Sequence, residues 1–320
     1  MKLLVAGGGG FIGSQVCERL LNDGHEVVCV DNFVTGTYEN IRHLDGTTSF
    51  EVLDVDVVLT PDVRVDHILH LASPASPVDY DRLPLETMRA NTLGTWRLLE
   101  LAQSIGASLT FASTSEVYGD PLVHPQPESY WGNVDPIGPR SCYDESKRFG
   151  EALIMASRRA HGVRANIVRL FNTYGPRMRL NDGRAVPQLL TAAITGQPLT
   201  IHGDGTQSRS FCYVSDLVDG LLRVGLDDDN DGEVFNIGNP YEITIRELAE
   251  EILRATGSGS EISYLPRPPG DPERRRPVID KMRDRYGWTP RVELTEGLMR
   301  TAEAFRLELD RLRTEAAHAV

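Results

Sequence analysis

The sequence predicts an α/β fold built as a doubly wound parallel sheet, and three observations predict it. An apolar run, Lys2-Leu-Leu-Val-Ala6, passes straight into Gly7-Gly-Gly-Gly-Phe-Ile-Gly13 and then into a helical run from Ser14 to Asn22. A second apolar strand, Glu26 to Val30, stops at Asp31, about twenty residues beyond the glycines. Strand-like and helix-like segments then alternate along the chain, the pattern of βαβ units. Together these imply a Rossmann-type sheet followed by a smaller C-terminal α/β substrate lobe.

In chain order, Gly7, Gly10 and Gly13 come first and read G-x-x-G-x-x-G. Glycine there permits the tight turn, lets the backbone approach a pyrophosphate and lets the helix pack on the sheet, while the helix N-terminus faces the phosphates. With Phe11 and Ile12 they form the candidate dinucleotide cradle. Asp31, followed by Asn32, stands where a ribose 2′-hydroxyl is held, and an acid there favours NAD over NADP. Further strands are expected at Ser49 to Leu53, His67 to Leu71 and Ala107 to Ala112, with a helix from about Pro84 to Ser104. Ligands of such sheets bind beyond the strand carboxyl ends. That singles out Asp56, Val57, Leu71, Ala72, Ser73 and Ser113 for the cofactor, and Thr114, Ser115 and Glu116 for chemistry.

A long segment rich in proline, glycine and aromatics runs from Ala112 to Tyr143 and reads as a cover over the site. It ends at a helical run, Ser141 to Arg159, that sets Tyr143 and Lys147 four residues apart and therefore on one face. Alone, that pair is common on helices. Beside a dinucleotide cradle it makes a base: a free tyrosine titrates near ~10, so action near neutrality needs a drop of roughly three units, about 4 kcal/mol. A lysine together with a cationic nicotinamide ring could supply it.

The C-terminal half opens with a strand, Val163 to Leu170, then Asn172 and the basic stretch Arg177 to Arg184, with Arg184 starting an amphipathic helix to Thr195. Ser215-Asp216 is expected to cap a helix through Val224, and helices are expected over Thr244 to Thr256, Val278 to Tyr286 and Thr295 to Arg313. This divides the chain into a cofactor domain (1–170, with later segments returning to it), a substrate lobe (171–313) and a tail (314–320). Asp227 to Asp231 reads as a solvated acidic loop, and Asp271-Pro-Glu-Arg-Arg-Arg-Pro277 as a basic cluster between prolines.

The chain has 320 residues, 40% of them hydrophobic, enough for a large core. Its net charge of −13 argues against nucleic acid and against an anionic membrane surface, so an anionic ligand must be met by a local basic pocket. Arginine suits that pocket, because its planar fork binds phosphate oxygens bidentately. Four scattered cysteines without a C-x-x-C pair fit reduced thiols in the cytoplasm, and His67 and His70 lack metal-spaced partners, so no metal is expected. The first strand begins at Lys2 and no apolar run is long enough for a bilayer, which points to a soluble intracellular protein.

The glycine turn, Asp31, Asn91-Thr-Leu-Gly-Thr95, the Ser/Thr-bearing strand end and Tyr143-x-x-x-Lys147 together resemble the extended short-chain dehydrogenase/reductase family. Ala6 stands where many members carry threonine. Within that family, Ala72-Ser-Pro-Ala-Ser-Pro77, the segment from Ala112 to Tyr143 and Phe171-Asn-Thr-Tyr-Gly-Pro-Arg-Met-Arg179 are similar to the UDP-glucuronate decarboxylase family, the resemblance spanning about residues 1 to 300. It implies NAD as cofactor, a UDP-sugar as substrate and Tyr143 as base. It implies that Lys147 lowers the tyrosine's pKa, that Ser113 or Thr114 binds the reacting hydroxyl, and that Asn91 is a structural or relay residue. Asn172, Arg184, Gln207 and Arg209 would meet the diphosphate or uridine, and Arg275 the sugar carboxylate or the diphosphate. The helices at Pro84 to Ser104 and Tyr143 to His161 would form a homodimer interface.

Residue chemistry selects within this group. A 4,6-dehydratase must protonate a departing hydroxyl, and Ser115 beside Glu116 supplies no acid for that near neutrality. Decarboxylation of a 4-keto sugar needs a stabilised enolate and a proton at C5, for which Glu116 with Ser115 is the candidate, or else these residues orient the ring. A dTDP-glucose 4,6-dehydratase, a nucleotide-sugar 4-epimerase and a non-catalytic NAD sensor are the competing readings.

Overall fold

The structure, a computed structural model, describes residues 1–229, 232–266 and 273–318. The first two residues of the Asp271–Pro277 cluster and the last two of the Asp227–Asp231 run lie outside the described residues. Seven parallel strands form the central sheet: β1 (Lys2–Ala6), β2 (Glu26–Asp31), β3 (Phe50–Asp54), β4 (His67–His70), β5 (Ser108–Thr114), β6 (Ala165–Leu170) and β7 (Val234–Ile237). They stand in the order β7-β6-β5-β4-β1-β2-β3. The chain runs outward from β1 to β3, crosses back, and runs the other way from β4, so the order reverses between β1 and β4. A crevice opens beyond the carboxyl ends at that reversal.

Both faces of the sheet are covered, which is why its strands are apolar throughout. In β1, Leu3 and Val5 pack with Val16, Cys17 and Leu20 of the Phe11–Asn22 helix, whereas Leu4 and Ala6 pack with Leu98, Leu101 and Ala102 of the Thr95–Ile105 helix. The C-terminal half adds short ladders: Ser208–Ser210 lies between Glu242–Thr244 and Arg274–Arg275, and Leu199–His202 pairs with Ile262–Leu265. Among the described residues, no helix is long and apolar enough to cross a membrane.

Several expected boundaries move for physical reasons. β5 extends two residues past Ala112 because Ser113 and Thr114 stay in register with Arg169 and Leu170 of β6. The helix expected from Pro84 to Ser104 is interrupted by a wide π-helical turn at Ala90–Gly94, where Gly94 lies against Val57: a Cβ there would fall 2.6 Å from the valine's Cγ1. Ser215 and Asp216 do not cap their helix, which starts at Val214. Asp216 instead accepts the backbone N–H groups of Arg291 and Val292, both at 2.9 Å, and so fastens the C-terminal segment. The last helix, Leu294–His318, runs beyond Arg313.

The glycine turn has no space to spare. A Cβ on Gly13 would sit 2.0 Å from the carbonyl oxygen of Gly7 and 2.9 Å from Cα of Gly8, which are both backbone and cannot yield. Gly13→Ala is therefore expected to destabilise the protein by about 1–3 kcal/mol and to weaken NAD retention, read by denaturant unfolding and by cofactor content after gel filtration.

Candidate active site

A cavity of about 790 Å³ opens at the reversal point of the sheet. Its wall includes Gly7, Gly10, Phe11, Ile12, Gly13, Leu71, Ser73 and Ser113 from the expected cofactor set. It also includes Thr114, Ser115, Glu116, Tyr143 and Lys147, and all five expected substrate residues, Asn172, Arg184, Gln207, Arg209 and Arg275. The fold thus gathers the strand ends, the Tyr143 helix and the C-terminal lobe around one space.

Five expected cofactor residues, Asp31, Asn32, Asp56, Val57 and Ala72, stand outside that wall. Asp31 braces the glycine turn, its two carboxylate oxygens accepting the N–H groups of Gly9 and Phe33, each at 2.8 Å. Burial raises its pKa while those amides work to lower it. Asn32 accepts from Val34 N–H at 3.2 Å, and Asp56 from Val58 N–H at 2.9 Å, so both shape turns. Val57 packs on Gly94, and the backbone of Ala72 presses on Gly7. Thr35, Thr37 and Asn40, which the sequence did not single out, line the cavity in their place, with Asn40 donating to the Gly9 carbonyl at 2.9 Å. Asparagine and threonine in a loop are ordinary turn residues, so no local signal marked them.

The Ser141–His161 helix points Tyr143 and Lys147 into the cavity. Tyr143 is only 7% exposed, hydrogen-bonded to Thr114 and stacked on Tyr80 with ring centroids 5.3 Å apart. Lys147 is 3% exposed; its ammonium donates to the Ala112 carbonyl at 2.8 Å and lies 4.8 Å from the centre of the Phe111 ring. Burial pushes the Tyr143 phenol up to about 12, against the Thr114 hydrogen bond, and burial brings Lys147 down to about 7 against the attraction of Glu151. Burial thus works against the charged form of both groups.

The serine–threonine pair divides its work. Ser113 donates to Glu151 at 2.6 Å, and Glu151 in turn holds Arg169 through bonds of 2.9 and 2.7 Å. Its hydroxyl serves this buried network, leaving Thr114 as the hydroxyl at Tyr143. Asn91, fully buried, donates to Ser146 at 3.0 Å on the catalytic helix.

Glu116 departs most from expectation. It forms ion pairs with Arg140 and with Arg275, and Arg275 also donates to the Gly119 carbonyl at 2.7 Å. Burial alone would raise its pKa, but Arg275 and Arg140 hold it at about 2. A carboxylate so clamped is an anion near neutrality, which favours the orienting role expected for it over delivery of a proton to C5. Arg140 escaped notice because an arginine in a loop carries no motif; its place three residues before Tyr143 was the available clue. Arg184 is held by Asp182, with Nη2 to Oδ2 at 2.8 Å, and Gln207 donates to the His202 carbonyl at 2.6 Å. Among the described residues, no group of three or more His, Cys, Asp or Glu is placed to hold a metal ion.

A glycine cradle, an acid at the end of β2 bracing it and a buried Tyr–Lys pair on the cavity wall define a short-chain dehydrogenase/reductase. The chain matches the NAD dependent epimerase/dehydratase family over residues 3–238 and belongs to it. It is 49% identical to UDP-glucuronic acid decarboxylase 3 of Arabidopsis thaliana over 97% of this chain and 90% of that one. It is 50% identical to UDP-glucuronic acid decarboxylase 1 of Xenopus tropicalis, over 97% of this chain and 73% of the other. Among solved structures, the UDP-glucuronic acid 4-epimerase of Bacillus cereus with UDP-glucuronic acid and NAD superposes with a TM-score of 0.87 at 30% identity, covering 96% of this chain and 99% of that one. The residues present fit NAD: the turn from Gly7 to Gly13 admits no Cβ at Gly13, and Asp31 is an acid beside it.

The clamp gives a stability test. Glu116 titrates at about 2 in the folded protein against an ordinary 4.5, so its stabilisation is complete above about pH 4.5 and is lost as pH falls towards 2. The shift corresponds to about 3 kcal/mol. Glu116→Gln should lower stability by about that amount near pH 6 and flatten the acid limb of the stability curve, measured by urea unfolding across pH.

Proposed function

We propose that this chain converts UDP-glucuronate to UDP-xylose and carbon dioxide through a 4-keto sugar, with NAD restored at each turnover. The observation that carries this reading is the clamp of Glu116 between Arg140 and Arg275 beside Ser115. So held, Glu116 is not the acid that a dehydratase needs for a departing C6 hydroxyl, and its two guanidiniums against one carboxylate leave a net positive charge to receive a sugar acid. The 49–50% identity to two decarboxylases, against 30% to the 4-epimerase, supports the same choice.

Gly7, Gly10 and Gly13 would hold the pyrophosphate of NAD, with Asp31, which braces that turn, on the ribose side. NAD, when bound, would supply the acceptor for the C4 hydride and the means of restoring it. Tyr143, held by Thr114, takes the C4 hydroxyl proton. The resulting ketone makes the C6 carboxylate a β-keto acid, whose electron pair passes into a C4 enolate as carbon dioxide departs; the protonated Tyr143 donates to that oxygen. Arg275 positions the carboxylate without over-stabilising it, because its charge is already shared with Glu116. Asn172, Arg184, Gln207 and Arg209 receive the diphosphate and uracil.

The reading includes a cytoplasmic homodimer. Four unbridged cysteines suit a reducing compartment. Leu85, Met88, Leu93, Trp96 and Phe149 are exposed on neighbouring segments of the Pro84–Ile105 region and the Ser141–His161 helix, an apolar face suited to a second copy. Trp96→Glu with Phe149→Glu should convert a dimer to a monomer in light scattering; an unchanged mass would place the interface elsewhere.

The test of the reaction is purified protein with UDP-glucuronate and NAD, followed by carbon dioxide release and by NMR of the sugar. Equal amounts of carbon dioxide and UDP-xylose are expected, and Tyr143→Phe should slow both by about a thousandfold. UDP-galacturonate without carbon dioxide would establish a 4-epimerase instead.

A further inference from the structure

Decarboxylation as written above leaves a proton unaccounted for. The proton that Tyr143 takes from the C4 hydroxyl goes back when the ketone is reduced, so the new C5–H bond needs one more, drawn from solvent in every turnover. Glu116, on the cavity wall, is an anion clamped by two guanidiniums and is ill suited to carry it.

Behind that clamp lies a second cavity of about 270 Å³. Glu116, Pro139, Arg140 and Arg275 line both cavities, so the clamp is their common wall. The outer rim of the second cavity, at Asp120, Asn133 and Asp135, is exposed to solvent. On its inner side is Asp144, next in sequence to Tyr143. Its side chain is 7% exposed, and its Oδ1 is buried without a hydrogen-bond partner. Asp144 lines this cavity, whose volume holds several water molecules at about 30 Å³ each.

We propose that Asp144 and this second cavity form the proton-entry route of the site, passing a solvent proton past the Glu116–Arg140–Arg275 wall to C5 of the sugar. The inference rests on the decarboxylase reading. As the C5–C6 bond breaks, its electron pair stays on the sugar as the enolate and carbon dioxide leaves. A proton then moves from the Asp144 carboxyl through cavity water to C5, forming the C5–H bond, and the carboxylate recovers a proton from solvent through the exposed rim. The sum is UDP-glucuronate plus one proton giving UDP-xylose plus carbon dioxide.

The electrostatics agree with the geometry. Burial and the negative charges of Glu116 and Glu145 raise the Asp144 carboxyl, Arg140 and Arg275 oppose them, and the balance stands at about 7. Asp144 is therefore partly protonated at neutral pH, whereas Glu116, paired with the same guanidiniums, is not. Asp120 and Asp135 on the rim add further negative charge.

The experiment compares unaltered protein with Asp144→Asn, which keeps the shape of the side chain and removes the titratable proton. In the unaltered enzyme kcat should fall as pH rises through about 7. In Asp144→Asn, kcat at neutral pH should drop about tenfold or more with KM little changed, that limb should disappear, and carbon dioxide should run ahead of UDP-xylose in the first turnover. Infrared titration should show a carboxyl band that disappears near pH 7 in the unaltered protein and is missing from Asp144→Asn. If the variant fails to fold, the infrared titration and pH profile of unaltered protein decide alone: no carboxyl titrating near neutrality, or a kcat level to about pH 9, overturns the proposal. So does an Asp144→Asn enzyme with an unchanged pH profile. Absence of any carbon dioxide from the unaltered protein would instead remove the decarboxylase reading, and the relay with it.

Discussion

The site depends on one buried ion cluster, Glu116 between Arg275 and Arg140. Arg275 is 2% exposed, so its charge must be met by protein, and an unpaired guanidinium in that position would cost several kcal/mol. The three residues come from distant parts of the chain: the turn after β5, the end of the covering loop and the short Arg274–Arg275 strand. Pairing them draws the C-terminal lobe onto the carboxyl end of the sheet. Arg275 is in register with Arg209, so fixing one also places the other in the cavity wall. The Gly119 carbonyl, at the mouth of the covering loop, is fastened by the same guanidinium. This ion cluster thereby fixes the cavity wall beyond the end of β5.

A few residues away burial prevails over the partner charges. At Tyr143 and Lys147 it suppresses charge on both partners, and a phenol near 12 would cost about 7 kcal/mol to ionise at pH 7. The same low dielectric strengthens the effect of any cation brought alongside, so the pair is poised to respond to the nicotinamide charge and to the substrate hydroxyl. Stacking on Tyr80 and the Thr114 hydrogen bond fix the ring before that happens, which keeps reorganisation small. The chain thus supplies position and desolvation, and the ligands supply the field.

What could be read from sequence was what local spacing dictates. The glycine turn, the acid after β2 and the four-residue Tyr–Lys interval are all set within one turn or one βαβ unit, and the sheet followed from alternation. The side-chain partners were not readable, because they depend on which distant segment packs alongside. Ser113 looks equivalent to Thr114 in sequence, yet Glu151 on the helix behind claims its hydroxyl. Glu116 reads as a free acid until Arg275 arrives from the far end of the chain. Asp216 sits in a sensible capping position but is taken by two backbone amides of the Arg291–Val292 segment. In each case a tertiary hydrogen bond outcompeted the local one.

The charge distribution explains how an acidic protein holds an anionic substrate. The chain carries −13 overall, which repels anions at long range, but that field is screened within about 8–10 Å in physiological salt. Inside the cavity the balance reverses. The wall holds six arginines, at 140, 177, 179, 184, 209 and 275, against four carboxylates, Asp79, Asp81, Glu116 and Asp182. Asp79 and Asp182 are ion-paired with Arg179 and Arg184, and Glu18 holds Arg177, so these guanidiniums arrive already oriented. A carboxylate that accepts two guanidinium hydrogens still leaves the remaining donors of the fork for a ligand. Preorganisation of this kind lowers the entropy lost on binding, and it favours a substrate with negative charge at both ends, a diphosphate and a sugar acid, over one with charge at the diphosphate alone.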